Sequence, residues 1–255
     1  MDCTGLVSIE ISNSVTSIGV LAFNGCSGLS SITVFAETPP ALGRSAFSRV
    51  NKSIPVYVPC GSAETYQAAY GWNEFTNIQE VCSQSQTVSL SEGTNWFSTY
   101  LDITLDDLKA ALVAAMPNDN ATITIKSKTQ NVKYQNGRWA GSLTTFEVTQ
   151  MYKIIIPEAC EISLEGVPVD PSALTVTITP GANWIAFPYS ESMTVTDFFG
   201  SFPVNNDVVK SKLQNTRYNN DRWAGQLNTL IPGQGYIYNS ATTEDRTFSY
   251  PAGAK

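Results

Sequence analysis

Two segments 84 residues apart carry eight of the chain's 15 basic residues: Lys126, Lys128, Lys133 and Arg138 in the first, and Lys210, Lys212, Arg217 and Arg222 in the second. Ammonium and guanidinium groups recurring at fixed spacing suit anion recognition. Two lysines at i and i+2 of a strand point to one face, so each segment can present a positive strip to carboxylate or sulfate groups. The competing reading is that the aliphatic stems lie over Tyr134 or Trp139 while the charged heads stay in water. Trp139 and Trp223 lie in the same segments and offer flat apolar faces of the kind sugars stack on. Trp96 and Trp184, with Asn95 and Asn183 beside them, are expected inside, because a module of about 85 residues needs large side chains to fill its core. The candidate ligand-binding residues are therefore Trp139, Trp223, Lys126, Lys128, Arg138, Lys210, Lys212 and Arg222.

The chemistry of catalysis is less well supplied. None of the 255 residues is histidine, which removes triads with an imidazole base, His-ligated zinc and His-held haem. A hydrolase built on Asp102 and Asp107 would need the two carboxylates about 5 to 10 Å apart in a concave pocket. Asp106 and Asp107 also suit the first turn of a helix, where acids meet the positive end of its dipole. Asn118-Asp119-Asn120, Asn205-Asn206-Asp207 and Asn219-Asn220-Asp221 lack the spacing of a calcium loop and read as turns. Pro232-Gly233-Gln234-Gly235 lacks both the glycine spacing and the following helix of a phosphate loop. The expectation is a binding protein, not an enzyme, with no metal and no cofactor. A net charge of -7 lacks the basic footprint that phosphate backbones require, so nucleic acid is not an expected partner.

The elements that must position these residues come from two internal repeats. Cys3-x-x-Leu6-x-x-Ile9-x-Ile11 returns 23 residues later as Cys26-x-x-Leu29-x-x-Ile32-x-Val34, and Ile18-Gly19-x-x-Ala22-Phe23 returns 24 later as Leu42-Gly43-x-x-Ala46-Phe47. A period of this length predicts stacked coils, each with a short strand pointing alternate residues inward and burying its face against the next. Ile54-x-Val56-x-Val58 predicts one more strand. Ser62 is placed to cap a helix over 63–70, which Gly71 ends, with Trp72 and Phe75 buried beneath it.

The second repeat covers the remainder. Residues 126–143 and 210–227 agree at 12 of 18 positions, and Gly93-Thr94-Asn95-Trp96 returns 88 residues later as Gly181-Ala182-Asn183-Trp184. Two modules of roughly 85 residues follow one another, joined near 168–172. Each is predicted to hold short strands and one helix: 105–116 behind Thr104 in the first, and a weaker one over 195–202 in the second. Asn136-Gly137 is the strongest hairpin turn signal. The modules depart from each other at Val148-Thr149-Gln150-Met151 against Pro232-Gly233-Gln234-Gly235.

Five cysteines at 3, 26, 60, 82 and 160 form no CxxC pair, and the sequence leaves open whether Cys60 and Cys82 are bridged. No run approaches 18 apolar residues, so this chain is not expected to insert in a membrane.

The run from Leu6 to Cys26, with Ser-Ile-x-Ile-x-Asn-Ser-Val-Thr-Ser-Ile-Gly and Ala-Phe-x-Gly-Cys, resembles the BspA-type leucine-rich repeats of bacterial surface proteins. The segment from Thr38-Pro39-Pro40 through Pro59-Cys60-Gly61 to Gly71-Trp72 resembles their closing coil. The duplicated modules resemble C-terminal repeats of secreted bacterial proteins. The implied fold is mainly β with some α: the C-terminal end of a leucine-rich solenoid with its cap over 1–82, then β-rich modules over 83–170 and 171–255. The resemblance implies an extracellular or surface-bound recognition and adhesion protein, exported by a signal upstream, and the chain is expected to be a monomer. Its expected partners are host or bacterial surface proteins or glycans. The alternative is a carbohydrate-binding protein that captures polysaccharide with its tandem modules.

Overall fold

A computed structural model of the chain describes residues 3–117 and 121–252; the Asn118-Asp119-Asn120 turn lies outside them. The chain is mostly β, with several sheets and three short helices among the described residues. It divides into two compact units, Met1–Ser83 and Gln84–Lys255, and both copies of the longer repeat lie in the second.

In the first unit the 23-residue spacing becomes register. Ser8–Ile11, Ser31–Val34, Val56–Pro59 and Ile78–Val81 form one sheet in that order, all parallel. Ile9 lies beside Ile32 and Ile11 beside Val34, so the repeated residues stack on their own counterparts. Ser17–Ile18 pairs in the same sense with Ala41–Leu42, and the repeated phenylalanines Phe23 and Phe47 stack with ring centroids 5.1 Å apart. The inward side chains Ile11, Ile32, Val34, Val56 and Val58 are buried. The helix Ala63–Ala68 packs on the last two strands. Below it Tyr66 and Trp72 are fully buried, and each places its polar atom on a backbone carbonyl: Tyr66 Oη on Ala36 and Trp72 Nε1 on Pro40, at 2.7 and 2.8 Å. Cys60 and Cys82 form a disulfide. Beside it Glu80 accepts the Ala63 amide at 2.9 Å, and the Ala63 and Gly61 N–H groups hold its carboxyl below the usual range.

The second unit contains two five-stranded antiparallel sheets. One runs Gly93–Phe97, Tyr152–Ile156, Ile123–Lys126, Asn131–Gln135, Arg138–Gly141; the other runs Gly181–Ile185, Tyr236–Ser240, Val208–Lys210, Asn215–Asn219, Arg222–Gly225. The order is the same in both. Each also carries a paired ribbon, Gln84–Leu90 with Cys160–Pro168 and Thr175–Ile178 with Arg246–Ser249. The helix Leu105–Ala115 starts at a reciprocal cap in which Thr104 and Asp107 bond each other's backbone N–H, and it buries Leu105, Leu108 and Leu112. Its counterpart Val195–Phe199 starts at Thr194 in a similar way, and Gly200 ends it at positive φ.

Local chemistry explains why the duplicated segments survive as hairpins. Asn136 and Gly137 both take positive φ, as do Asn220 and Asp221, the geometry of a two-residue turn matched to strand twist. The repeated Arg-Trp-Ala-Gly ends on a glycine because the neighbouring strand crosses close by. A Cβ on Gly141 would stand 2.2 Å from the Asn131 oxygen, and one on Gly225 would stand 2.4 Å from that of Asn215.

Candidate functional site

The two sheets meet through reciprocal contacts. Phe97 bridges to Gln234, and the equivalent Ile185 bridges to Gln150. Likewise Ser98 N donates to Gly233 O at 3.3 Å, and Ala186 N donates to Thr149 O at 3.0 Å. A contact from i to j repeated from the equivalent of i to the equivalent of j is the mark of an approximate two-fold axis, here within one chain. At this junction the equivalent residues Met151 and Gly235 touch. A Cβ on Gly235 would lie 2.1 Å from Met151 Cγ, and Met151 is fully buried. The departure between the two copies of the repeat at 148–151 and 232–235 is thus a fit of one to the other: glycine makes the space that methionine fills.

The candidate residues fall on the outward faces of these sheets and on the turns beside them. Lys126 lies directly opposite Lys153, which lies opposite Trp96. In the second sheet Lys210 lies opposite Ile237, which lies opposite Trp184. Lys126, Arg138, Lys210 and Arg222 are exposed. Trp139 and Trp223 are half-buried, each against the tyrosine across its hairpin, Tyr134 and Tyr218, both at 5.2 Å. Trp139 also has Lys109 at 6.0 Å, and Trp223 packs on Phe199 at 5.6 Å with its indole N–H enclosed and, among the described residues, unbonded.

Trp96 and Trp184, expected inside, are half-buried instead. They flank the ammonium of Lys153 at 5.3 and 4.5 Å, so their π faces serve as a cation seat between the halves. The amides of Asn95 and Asn183 are spent on the turns before them: each bonds the backbone N–H and carbonyl of the residue four positions earlier, Ser91 or Thr179.

Beside this junction lies a groove of about 860 Å³. Residues 87–91 with Asn95 and Trp96 form one wall; the turn 211–214 and the segments 226–229 and 231–234 form the other. Four consecutive residues of one strand, Thr87 to Leu90, line it. Because side chains alternate between faces, the groove must run along that strand's edge, and Gln84–Leu90 is indeed the end strand of its sheet. Among the described residues no aspartate or glutamate lines the groove. Of the eight candidates it contains Lys212 alone, and Trp96 is a wall residue that sequence reasoning assigned to the core.

Two carboxylates away from the groove, Asp107 and Asp207, are engaged by neighbouring groups. Asp107 accepts both the N–H and the hydroxyl of Thr104, at 2.8 and 2.7 Å, which hold its carboxyl below the usual range. Asp207, read from sequence as part of a turn, is completely buried. It accepts Val204 N at 2.9 Å, Ala241 N at 2.7 Å, Arg246 Nη2 at 3.0 Å and the hydroxyl of Tyr238. Cys60, Cys82 and Glu80 place three potential metal ligands within 4.8 Å of one another, but the two sulfurs are bonded together. No helix is long and apolar enough to cross a membrane among the described residues.

Residues 1–104 match the family described as the BspA type leucine rich repeat region, of six copies. No curated protein and no solved structure matches the chain.

Proposed function

We propose that the chain belongs to a bacterial cell-surface or secreted protein that recognises other molecules and catalyses no reaction. In this reading the first unit is the closing end of a leucine-rich solenoid, capped by the helix Ala63–Ala68 and the turn Trp72–Glu74. The solenoid binds host or bacterial surface proteins, while the tandem modules serve as a stalk or accessory binder. The observation that carries it is the stacking of repeated residues on their own counterparts in a parallel ladder, within the segment that matches the BspA-type repeat. Repeats of this kind generally belong to surface and adhesion proteins, and stacked coils generate the extended faces such proteins bind with. Protease treatment of intact cells tests the location: loss of the protein is expected, and full protection with recovery in the cytosol would overturn the reading. Retention of the full chain on immobilised extracellular-matrix proteins tests the adhesion.

A second reading, capture of polysaccharide by the tandem modules, is favoured by the groove between them, with its hydroxyls, amides and tryptophan.

A further inference from the structure

We infer that the groove beside Trp96 is a binding site for an acidic oligosaccharide, with Lys212 as the counter-charge for its carboxylate or sulfate group. The inference rests on the carbohydrate reading and adds to it a site, a ligand class and a cation.

Three observations converge. The first is electrostatic: a chain with 22 acidic and 15 basic residues lines this groove with one lysine and, among the described residues, no acid. A cleft of single sign with low-dielectric walls concentrates ions of the opposite sign.

The second is an asymmetry between copies. Lys128 and Lys212 are equivalent residues of the duplicated Lys-Ser-Lys segment. Lys128 Nζ reaches across to the other half and bonds Ala182 O at 2.7 Å. Lys212 is exposed, and among the described residues it makes no hydrogen bond and no ion pair. The same turn is therefore a tether on one side of the approximate axis and an unspent charge on the other. The position equivalent to Ile231 in the groove wall is Glu147, so the tethered side also carries the acid that the open side lacks.

The third is the unspent polar surface. Gln226, Thr229 and Gln234 line the groove without side-chain hydrogen bonds among the described residues, and Trp96 adds a half-exposed ring. Amide and hydroxyl groups around one aromatic face, with a single cation, match an array of sugar hydroxyls and one acidic group. A peptide added to the edge of Gln84–Leu90 would need apolar pockets for its alternate side chains. The facing wall sets the exposed apolar side chains Leu213 and Ile231 among seven polar ones, and a peptide is one outcome of the test.

The test is titration calorimetry on the full chain at low salt with four probes: oligogalacturonate, a chondroitin sulfate hexasaccharide, cellohexaose and a poly-glutamate peptide. One acidic oligosaccharide is expected to bind with one site per chain, more tightly than cellohexaose. Galacturonate offers carboxylate alone and chondroitin sulfate offers carboxylate with sulfate, so binding confined to the chondroitin arm points to the sulfate. Lys212→Gln should lower that affinity about tenfold or more, in line with loss of a charged hydrogen bond, with an unchanged circular dichroism spectrum because the side chain is exposed. Gln226→Ala should weaken binding of both acidic and neutral sugars. Arg44→Gln, an equal loss of charge in the other unit, should change nothing.

Binding of acidic sugars that is unaffected by Lys212→Gln would overturn the site while leaving the carbohydrate reading in place. Silence with all three sugars would overturn both. Lys212-dependent binding of poly-glutamate without any sugar would overturn the inference in favour of a peptide groove.

Discussion

Ile123, Ile154 and Cys160 in the first half of the Gln84–Lys255 unit occupy the places taken by Asp207, Tyr238 and Arg246 in the second, by the repeat offset and by strand register. Both isoleucines are completely buried in an apolar cluster. In the second half the same place holds a buried carboxylate with four donors. Its partner Arg246 also donates to Phe202 O at 2.8 Å and Ser240 Oγ at 3.2 Å, with its guanidinium 4.3 Å from the Phe202 ring. One sheet order thus tolerates two kinds of centre. The apolar one is held by packing alone, whereas the polar one ties the segments around Phe202, Val204, Ala241 and Arg246 to one anchor.

The difference predicts opposite responses to substitution. Asp207→Ala leaves the part-buried Arg246 without its charge partner and should cost about 3 kcal/mol, the low end for a broken buried pair. Replacing all three polar residues by those of the first half, Asp207→Ile with Tyr238→Ile and Arg246→Cys, should cost far less or stabilise, because no charge is then left buried. Urea unfolding of the full chain measures both. Equal losses in the single and triple variants would break the comparison.

Alkaline pH should separate the halves next. Burial raises the phenol of Tyr236 from 10.0 to about 12, and those of Tyr189, Tyr238 and Tyr250 rise too; in the first half that of Tyr152 rises. A raised folded-state pKa gives stability that is complete below the unfolded value and is lost as pH rises through the folded one. The second half should therefore loosen first between about pH 10 and 12. Phenolate absorbance followed together with near-ultraviolet circular dichroism would show it; ionisation of these tyrosines at ordinary pH without loss of structure would contradict it.

The smallest effect expected is at Thr216, which stands where the first half has Val132. Its hydroxyl is buried and makes no hydrogen bond among the described residues. Thr216→Val should be neutral or stabilise by up to about 1 kcal/mol, since it removes an unsatisfied polar group without changing shape. A loss in thermal melting would show that this hydroxyl is in fact satisfied.

Much of the fold was legible because its signals are local. The 23-residue spacing became strand register, Thr104 and Asp107 became a helix cap, and Asn136-Gly137 became a turn. What escaped was set by partners distant in the chain. Asp207 sits among asparagines and so reads as a turn; only its alignment with Ile123 marks it as a core position. Trp96 and Trp184 have the size of core residues, yet their place is decided by Lys153 reaching between them. The tether from Lys128 has no trace in its own segment, which is identical at that position to the untethered copy.

The central claim is that the two copies close on one another as unequal partners, methionine into the space left by glycine. A double-mutant cycle on Met151→Gly and Gly235→Met, read by urea unfolding of the full chain, tests it most directly. Each single change should destabilise, Gly235→Met by overpacking at about 1 to 3 kcal/mol and Met151→Gly by leaving a cavity at about 2 kcal/mol or more. The exchanged pair should recover a substantial part of that loss. Additive losses in the pair would mean that the two residues do not share one space, and the fit between the halves would have to be sought elsewhere.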